Sequence, residues 1–258
     1  MREEPEEVGG QNLLKIDAFQ HMLPPRYTEA LHSKTSARRY VGRFGLSLFP
    51  AMHDVEARLR IMDRYEGYVQ ILNISSPALE DVASPEVAAE LASIANDEMA
   101  EMVMRYPDRF VAAVACLPMN DMDAAMKELD RAIVELRLRG VQVYSTVADR
   151  PLDSPEFEPL FARMNEYNLP ILIHPRSMQS GPRAFGPAIV KDEAQHWAES
   201  PFNWPYETSI AMGRIIYSGL LDKYPNLKIL THHCGGLVPF EADRIQAGLE
   251  QGEMRWGH

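Results

Sequence analysis

The chain has 258 residues, of which 46% are hydrophobic and 24% are charged, and its formal net charge at pH 7 is −11. This length suits one (β/α)8 domain. An acidic chain is not expected to bind nucleic acid, because phosphate binding needs clustered Lys and Arg. No apolar stretch reaches the length of a membrane span, and the acidic first residues lack the apolar core of a signal peptide. With two cysteines, Cys116 and Cys234, the composition predicts a cytoplasmic protein.

Strand-like apolar runs alternate with amphipathic helical patterns, which favours an α/β fold with a parallel sheet. Residues 1–12 are expected to form a mobile leader, and residues 13–258 a single barrel domain. The predicted strands are 13–19, 68–74, 110–117, 140–144, 169–174 and 227–233. The predicted helices are 55–65, 85–106 with Ser84 as N-cap, 122–138, 156–167, 207–221 and one beginning after Pro239.

These predicted elements make six βα units, whereas a closed (β/α)8 barrel has eight. The pattern predicts a distorted TIM-type (β/α)8 barrel that lacks its last two βα units in this sequence, and an open doubly wound sheet is the alternative. The longest connection, residues 175–205, contains five prolines and two tryptophans. Long loops of this kind are usually functional.

Three histidines stand at the carboxyl ends of predicted strands, where barrel enzymes place their catalytic groups. His21 ends the first strand and precedes a Pro-Pro turn, and His174 ends the fifth strand. Because side chains alternate along a strand, Asp17, Phe19 and His21 are expected to share one face.

The sixth strand ends in two adjacent histidines, which must face opposite ways. Thr231 and His233 share a face, and the following Cys234-Gly235-Gly236 segment allows a close backbone approach to a ligand. We therefore expect His233 to point into the barrel and His232 to point to the helices. Imidazoles that converge on one rim can hold a divalent metal. In a catalytic site such a metal keeps one coordination position open for water or substrate.

Several segments resemble the amidohydrolase-related branch of the amidohydrolase superfamily, which contains aminocarboxymuconate-semialdehyde and resorcylate-type decarboxylases. They are Ile16-Asp17-x-x-x-His21-x-Leu23-Pro24, Leu172-Ile173-His174-Pro175, and Gly219-(x)5-Pro225-x-Leu227-Lys228-(x)4-His233-x-Gly235-Gly236, with Gly140-Val141-Gln142 and Trp204-Pro205-Tyr206-Glu207-Thr208 also fitting. The resemblance extends over about residues 13–250.

The resemblance implies a distorted barrel with one divalent metal, usually zinc, with manganese possible. By the resemblance, His21 and His174 are metal ligands and His233 handles protons or water. The pattern also has a first ligand on strand 1, where this chain has Phe19, and an aspartate ligand on strand 8, beyond the last residue given. Two imidazoles alone make a weak site, so Asp17 is the candidate replacement ligand.

The long loop is expected to cover the mouth of the barrel. His196, Trp197 and Trp204 are candidates to line a pocket for a flat substrate. Arg176 and Arg183 are candidates to bind a substrate carboxylate, because Arg binds carboxylates through two parallel hydrogen bonds. The alternative is that these side chains only pack the loop.

Three functions are compatible with these residues. The first is a metal-dependent decarboxylase that acts on a small planar carboxylic acid. The second is a metal-dependent hydrolase of a lactone, ester or amide. The third, suggested by Phe19, is a metal-free barrel that binds a ligand without turnover. The resemblance also implies a homo-oligomer, expected to be a dimer.

Overall fold

The structure is a computed structural model that describes residues 13–35, 49–176 and 199–256. Side chains are described in these ranges except for residues 199–200 and 253–256. The predicted leader, residues 1–12, lies outside the described residues, and so does most of the predicted loop over residues 175–205.

The described chain alternates strands with helices. The strands are β1 Lys15–Met22, β2 Tyr68–Ile74, β3 Phe110–Ala113, β4 Ala115–Cys116, β5 Val141–Tyr144, β6 Thr146–Val147, β7 Arg150–Pro151, β8 Pro170–His174 and β9 Lys228–Thr231. The α-helices are α1 Pro25–Lys34, α2 Val55–Met62, α3 Leu79–Val82, α4 Pro85–Arg105, α5 Met122–Asp130, α6 Glu158–Tyr167, α7 Trp204–Tyr217, α8 Leu220–Lys223 and α9 Ala242–Trp256. Short helical turns of other types cover Pro50–Met52, Arg131–Glu135, Pro155–Phe157, Glu199–Asn203 and His233–Gly235.

The sheet is parallel and follows chain order. Strands β1, β2 and β3 form one part, and β4, β5, β8 and β9 form the other. The two parts are joined through one stretch of backbone, since Val114 N–H donates to Leu72 O (3.0 Å) and Ala115 N–H donates to Gly140 O (2.8 Å). The predicted α/β class with a parallel sheet is confirmed. Among the described strands, β1 and β9 are each paired along one side only, so barrel closure is not seen there.

The central strands are buried on both faces, as expected for a parallel sheet covered by helices. All residues of β5 are buried, and so is β8 from Ile171 to His174. Helix α4 begins where the sequence predicts, because the Ser84 hydroxyl accepts a hydrogen bond from Val87 N–H. The predicted start of α7 at Glu207 is wrong, since the helix begins at Trp204 with a proline in its first turn.

Strand β1 carries a bulge that changes which residues share a face. Asp17 pairs with Gln70, whereas Gln20 pairs with Leu72, so β1 has one residue more than β2 over this stretch. An extra residue reverses the alternation of side chains. The carboxylate of Asp17 therefore turns to Tyr68 Oη (2.7 Å) and to the Gln20 amide, and the expectation that it shares the face of His21 is wrong.

Among the described helices, none combines the length and apolarity needed to cross a membrane.

Candidate metal centre

Three imidazoles meet at the carboxyl ends of the parallel strands. They belong to His21 in β1, His174 at the end of β8 and His232 directly after β9, and one nitrogen of each lies within 4.8 Å of the other two. The ring centroids are 4.9 Å apart for His21 and His174, 4.7 Å for His174 and His232, and 5.2 Å for His21 and His232. This is the edge of a parallel barrel sheet where catalytic groups are placed.

The membership of His232 corrects the sequence-based expectation, which assigned this side chain to the helices. Strands β8 and β9 pair in register, with Ile173 beside Thr231. Neighbouring residues of a parallel pair face the same way, so the next pair in this register, His174 and His232, share one face. Alternation within β9 alone could not decide which face is the lumen, whereas its register with β8 does.

A sequence signal for His232 exists in the two strands themselves. The run Leu-Pro-Ile-Leu-Ile-His ends at His174, and the run Leu-Lys-Ile-Leu-Thr-His ends at His232. The two hexapeptides align position by position, and the observed register follows this alignment. Comparing the strands with each other would therefore have selected His232.

Backbone carbonyls orient two of the imidazoles. His174 Nδ1 lies 2.7 Å from Pro175 O, and His232 Nδ1 lies 2.8 Å from Ile173 O. A carbonyl only accepts, so each Nδ1 carries the proton and each Nε2 keeps its lone pair. This is the arrangement that metal-ligating histidines usually have. Within the described structure, His232 Nε2 and His21 Nδ1 are buried without a hydrogen-bond partner.

Burial keeps these imidazoles neutral. It lowers the pKa of His21 to about 4, that of His232 to about 3, and that of His174 well below its usual value, and the neighbouring histidines act in the same direction. A histidine must be neutral to bind a metal. Three neutral nitrogen donors, two of them with unpartnered buried atoms, fit a divalent transition metal with an open position for a substrate oxygen.

Aromatic rings surround the cluster. The Phe19 ring packs against His232 with centroids 4.3 Å apart, and Trp204 stacks on His233 at 5.0 Å with an interplanar angle of 25°. His233 is exposed, and its ring lies 5.9 Å from that of His174. His233 therefore lies at the mouth, beside the cluster rather than in it.

Arg176 lies outside the histidine cluster. Its guanidinium is 8% exposed and binds the carboxylates of Asp81 and Asp149, each at 2.5 Å. Its backbone N–H donates to Ser145 Oγ (2.9 Å), and this hydroxyl also donates to Glu207 Oε2 (3.0 Å). The guanidinium of Arg176, a candidate from the sequence for binding a substrate carboxylate, is thus engaged by two carboxylates of the protein itself.

Of the remaining predicted site residues, one lies in the described part of the chain and three do not. Trp204 lies at the mouth of the cluster, as described above. Arg183, His196 and Trp197 lie outside the described residues, so their roles stay predictions. Sequence reasoning did not select Glu207, which accepts a hydrogen bond from Ser145 Oγ and whose carboxyl pKa is raised by burial.

Comparison with protein families gives one match over most of the chain. A family model described as amidohydrolase matches residues 37–255. The 2-amino-3-carboxymuconate-6-semialdehyde decarboxylase of Dictyostelium discoideum is 30% identical over 251 residues, which cover 92% of this chain and 67% of the relative. The gamma-resorcylate decarboxylase of Rhizobium radiobacter is 33% identical over 199 residues, but the match spans 74% of this chain and only 58% of the relative's length.

Two solved structures extend the comparison to the fold. The 5-carboxyvanillate decarboxylase of Sphingomonas paucimobilis superposes with a TM-score of 0.78 at 30% identity, covering 94% of this chain and 74% of that one. The dihydroxybenzoic acid decarboxylase of Polaromonas sp. JS666 superposes with a TM-score of 0.70 at 28% identity, covering 89% and 68%. The latter was solved with bound manganese and the inhibitor 2-nitroresorcinol.

Proposed function

Since this chain belongs to the amidohydrolase family, we propose that it is a metal-dependent decarboxylase of a small aromatic carboxylic acid. The observation that carries the proposal is the convergence of three neutral imidazoles at the carboxyl ends of β1, β8 and β9. The decarboxylases among its relatives support the reaction class. Aromatic rings beside the cluster favour a planar substrate.

The metal would be held by His21, His174 and His232. A divalent ion bound there would polarise a substrate oxygen and offset its negative charge. An all-nitrogen donor set favours zinc over manganese, because manganese prefers oxygen ligands. The manganese bound in the Polaromonas relative makes it the second ion to test.

His233 is the residue that we assign to proton transfer. When an aryl acid loses carbon dioxide, the bond between ring carbon and carboxylate breaks and the ring carbon takes up a proton. The imidazole of His233 is exposed at the mouth, next to His174 but outside the three-nitrogen cluster. Stacking on Trp204 orients the imidazole of His233 and places an aromatic surface beside the group that would transfer the proton.

The test is turnover by the purified protein loaded with Zn²⁺ or Mn²⁺. We expect carbon dioxide release from at least one acid in a panel that includes 2,6-dihydroxybenzoate, 5-carboxyvanillate and related hydroxybenzoates. His233→Ala is expected to lower kcat by about 10²–10⁴-fold, the usual contribution of a general acid or base, while one metal per chain remains bound. His174→Ala should lose the metal together with the activity.

A metal-loaded protein that hydrolyses lactones or esters but leaves every aryl acid unchanged would contradict the proposal. So would turnover that is the same before and after metal removal. We also propose that the protein is a dimer. Its molar mass, measured by light scattering after size-exclusion chromatography, tests this.

A further inference from the structure

Phe19 stands next to the metal centre, although its side chain has no atom that binds a metal. Its backbone N–H donates to Asp17 Oδ1 at 3.1 Å, which fixes the bulge of β1. The bulge turns Asp17 away and directs Phe19 toward the histidines. Bulges are frequent beside active sites because they redirect side chains in this way.

The phenyl ring of Phe19 lies against one member of the cluster. Its centroid is 4.3 Å from that of His232, which is shorter than the 4.7–5.2 Å between the three imidazoles. His232 is 2% exposed. Its ring is therefore held by Ile173 O at Nδ1, by the parallel face of His21 and by Phe19.

These contacts define what the phenyl ring does. Only the bond from Nδ1 fixes the direction of the His232 lone pair, and a single hydrogen bond leaves the ring free to tilt about it. The parallel ring of His21 on His232, and the ring of Phe19 tilted at 55° against it, oppose that tilt, because close packing gives little room for rotation. Removing the phenyl ring would open a space next to His232 and let its Nε2 leave the other two nitrogens.

We propose that Phe19 is a positioning residue for the metal centre, which keeps the third nitrogen ligand on His232. The inference rests on the proposed metal site. It has a second consequence, because residue 19 is as close to His232 as the ligands are to one another. An imidazole at position 19 is therefore expected to supply the third nitrogen when His232 is removed.

The experiment measures the affinity for Zn²⁺ by competition with a chelating indicator, and the visible absorption of the Co²⁺-loaded protein as a signature of ligand number. Phe19→Leu keeps most of the volume but removes the flat ring face. We expect it to weaken Zn²⁺ binding by about 10–100-fold, as loss of a supporting contact to a metal ligand usually does. Phe240→Ala, at a side chain that is 83% exposed, is the control and should bind Zn²⁺ like the wild type. Phe19→Tyr, which retains the ring, should also keep the wild-type affinity.

The double variant tests the exchange of ligands. His232→Ala is expected to lose Zn²⁺ affinity and to change the Co²⁺ spectrum. Phe19→His in the His232→Ala background is expected to recover both. Circular dichroism and thermal melting of each variant separate loss of the site from loss of the fold.

Each outcome decides the proposal. It is overturned if Phe19→Leu binds Zn²⁺ and Co²⁺ like the wild type, if His232→Ala keeps its affinity, or if the folded double variant recovers nothing. A wild-type protein that binds no Zn²⁺ refutes the proposed metal-dependent function itself, and the inference with it. If the wild type binds one Zn²⁺ per chain and Phe19→Leu binds it with the same affinity, only the inference about Phe19 is refuted.

Discussion

Glu80 is a partly buried acid that lines a small cavity. Its Oε1 atom is buried without a hydrogen-bond partner in the described part of the chain, and the same is true of Gln142 Oε1, which lines the same small cavity. Burial raises the pKa of the Glu80 carboxyl to about 8, and the neighbouring Asp81 adds to the effect. Tyr144 lines this cavity as well, and its ring lies 5.2 Å from that of His174. The raised pKa favours the uncharged form of this carboxyl group at neutral pH.

This residue gives the first prediction, which concerns pH. The folded-state pKa of Glu80 lies above its unfolded value of 4.5, so the folded state binds the extra proton between pH 4.5 and about 8. Its contribution to the free energy of unfolding is present below pH 4.5 and falls as the pH rises to about 8, by up to about 1.4 kcal/mol per pH unit. Glu80→Gln should flatten this part of the profile, measured by urea denaturation at several pH values. An identical slope in both proteins would refute the assignment.

At the scale of elements, the segment after β9 packs directly on the start of α7. Gly236 has φ = +62°, a backbone conformation that side chains disfavour. A Cβ built on Gly236 would lie 2.5 Å from Pro205 O and 2.6 Å from Ser209 Oγ. The absence of a side chain thus brings the strand end that carries His232 and His233 against the helix that carries Trp204.

Gly236→Ala is the second prediction. The methyl group must displace the first turn of α7, and the positive φ adds strain, so we expect a loss of about 1–3 kcal/mol in the free energy of unfolding. The stacking of Trp204 on His233 should be disturbed, which tryptophan fluorescence would report. Gly213→Ala in the same helix is the matched control, since nothing lies within 4 Å of its added Cβ. There alanine should stabilise the helix by about 1 kcal/mol. Equal effects at both positions would contradict this account.

At the scale of the whole molecule, the metal centre joins parts of the chain that are distant in sequence. His21 lies in β1, His174 ends β8 and His232 directly follows β9. In the unfolded chain these imidazoles are far apart. Metal binding therefore favours the folded state over the unfolded state.

The third prediction follows from this linkage. At a free Zn²⁺ concentration of 100 Kd, binding should raise the free energy of unfolding by about 2.7 kcal/mol and increase Tm. A chelator should reverse the gain, and His174→Ala should abolish it. His53→Ala, outside the cluster, should leave the gain unchanged. A metal-induced shift that survives His174→Ala would place the ion elsewhere.

The sequence could predict most of the fold because its main signals are local. Apolar runs such as 68–74 coincide with a strand, and the Ser84 cap marks the start of α4. His21 and His174 could be selected because each ends such a run. The bulge in β1 could not be predicted, since it depends on hydrogen bonds from Tyr68 and Gln20 to Asp17 and on the pairing with β2.

The sequence by itself determined the α/β class, the succession of strands and helices along the chain and the end of the sheet where the histidines would gather, because periodicity, caps and apolar runs act between near neighbours in the chain. Tertiary structure decided that His232 joins His21 and His174 while His233 stays at the mouth, and that Arg176 is held by two carboxylates of the protein. The physical reason is that the face of a strand-end residue is set by its register with the neighbouring strand, and the partners of a buried charge are set by segments that only folding brings together.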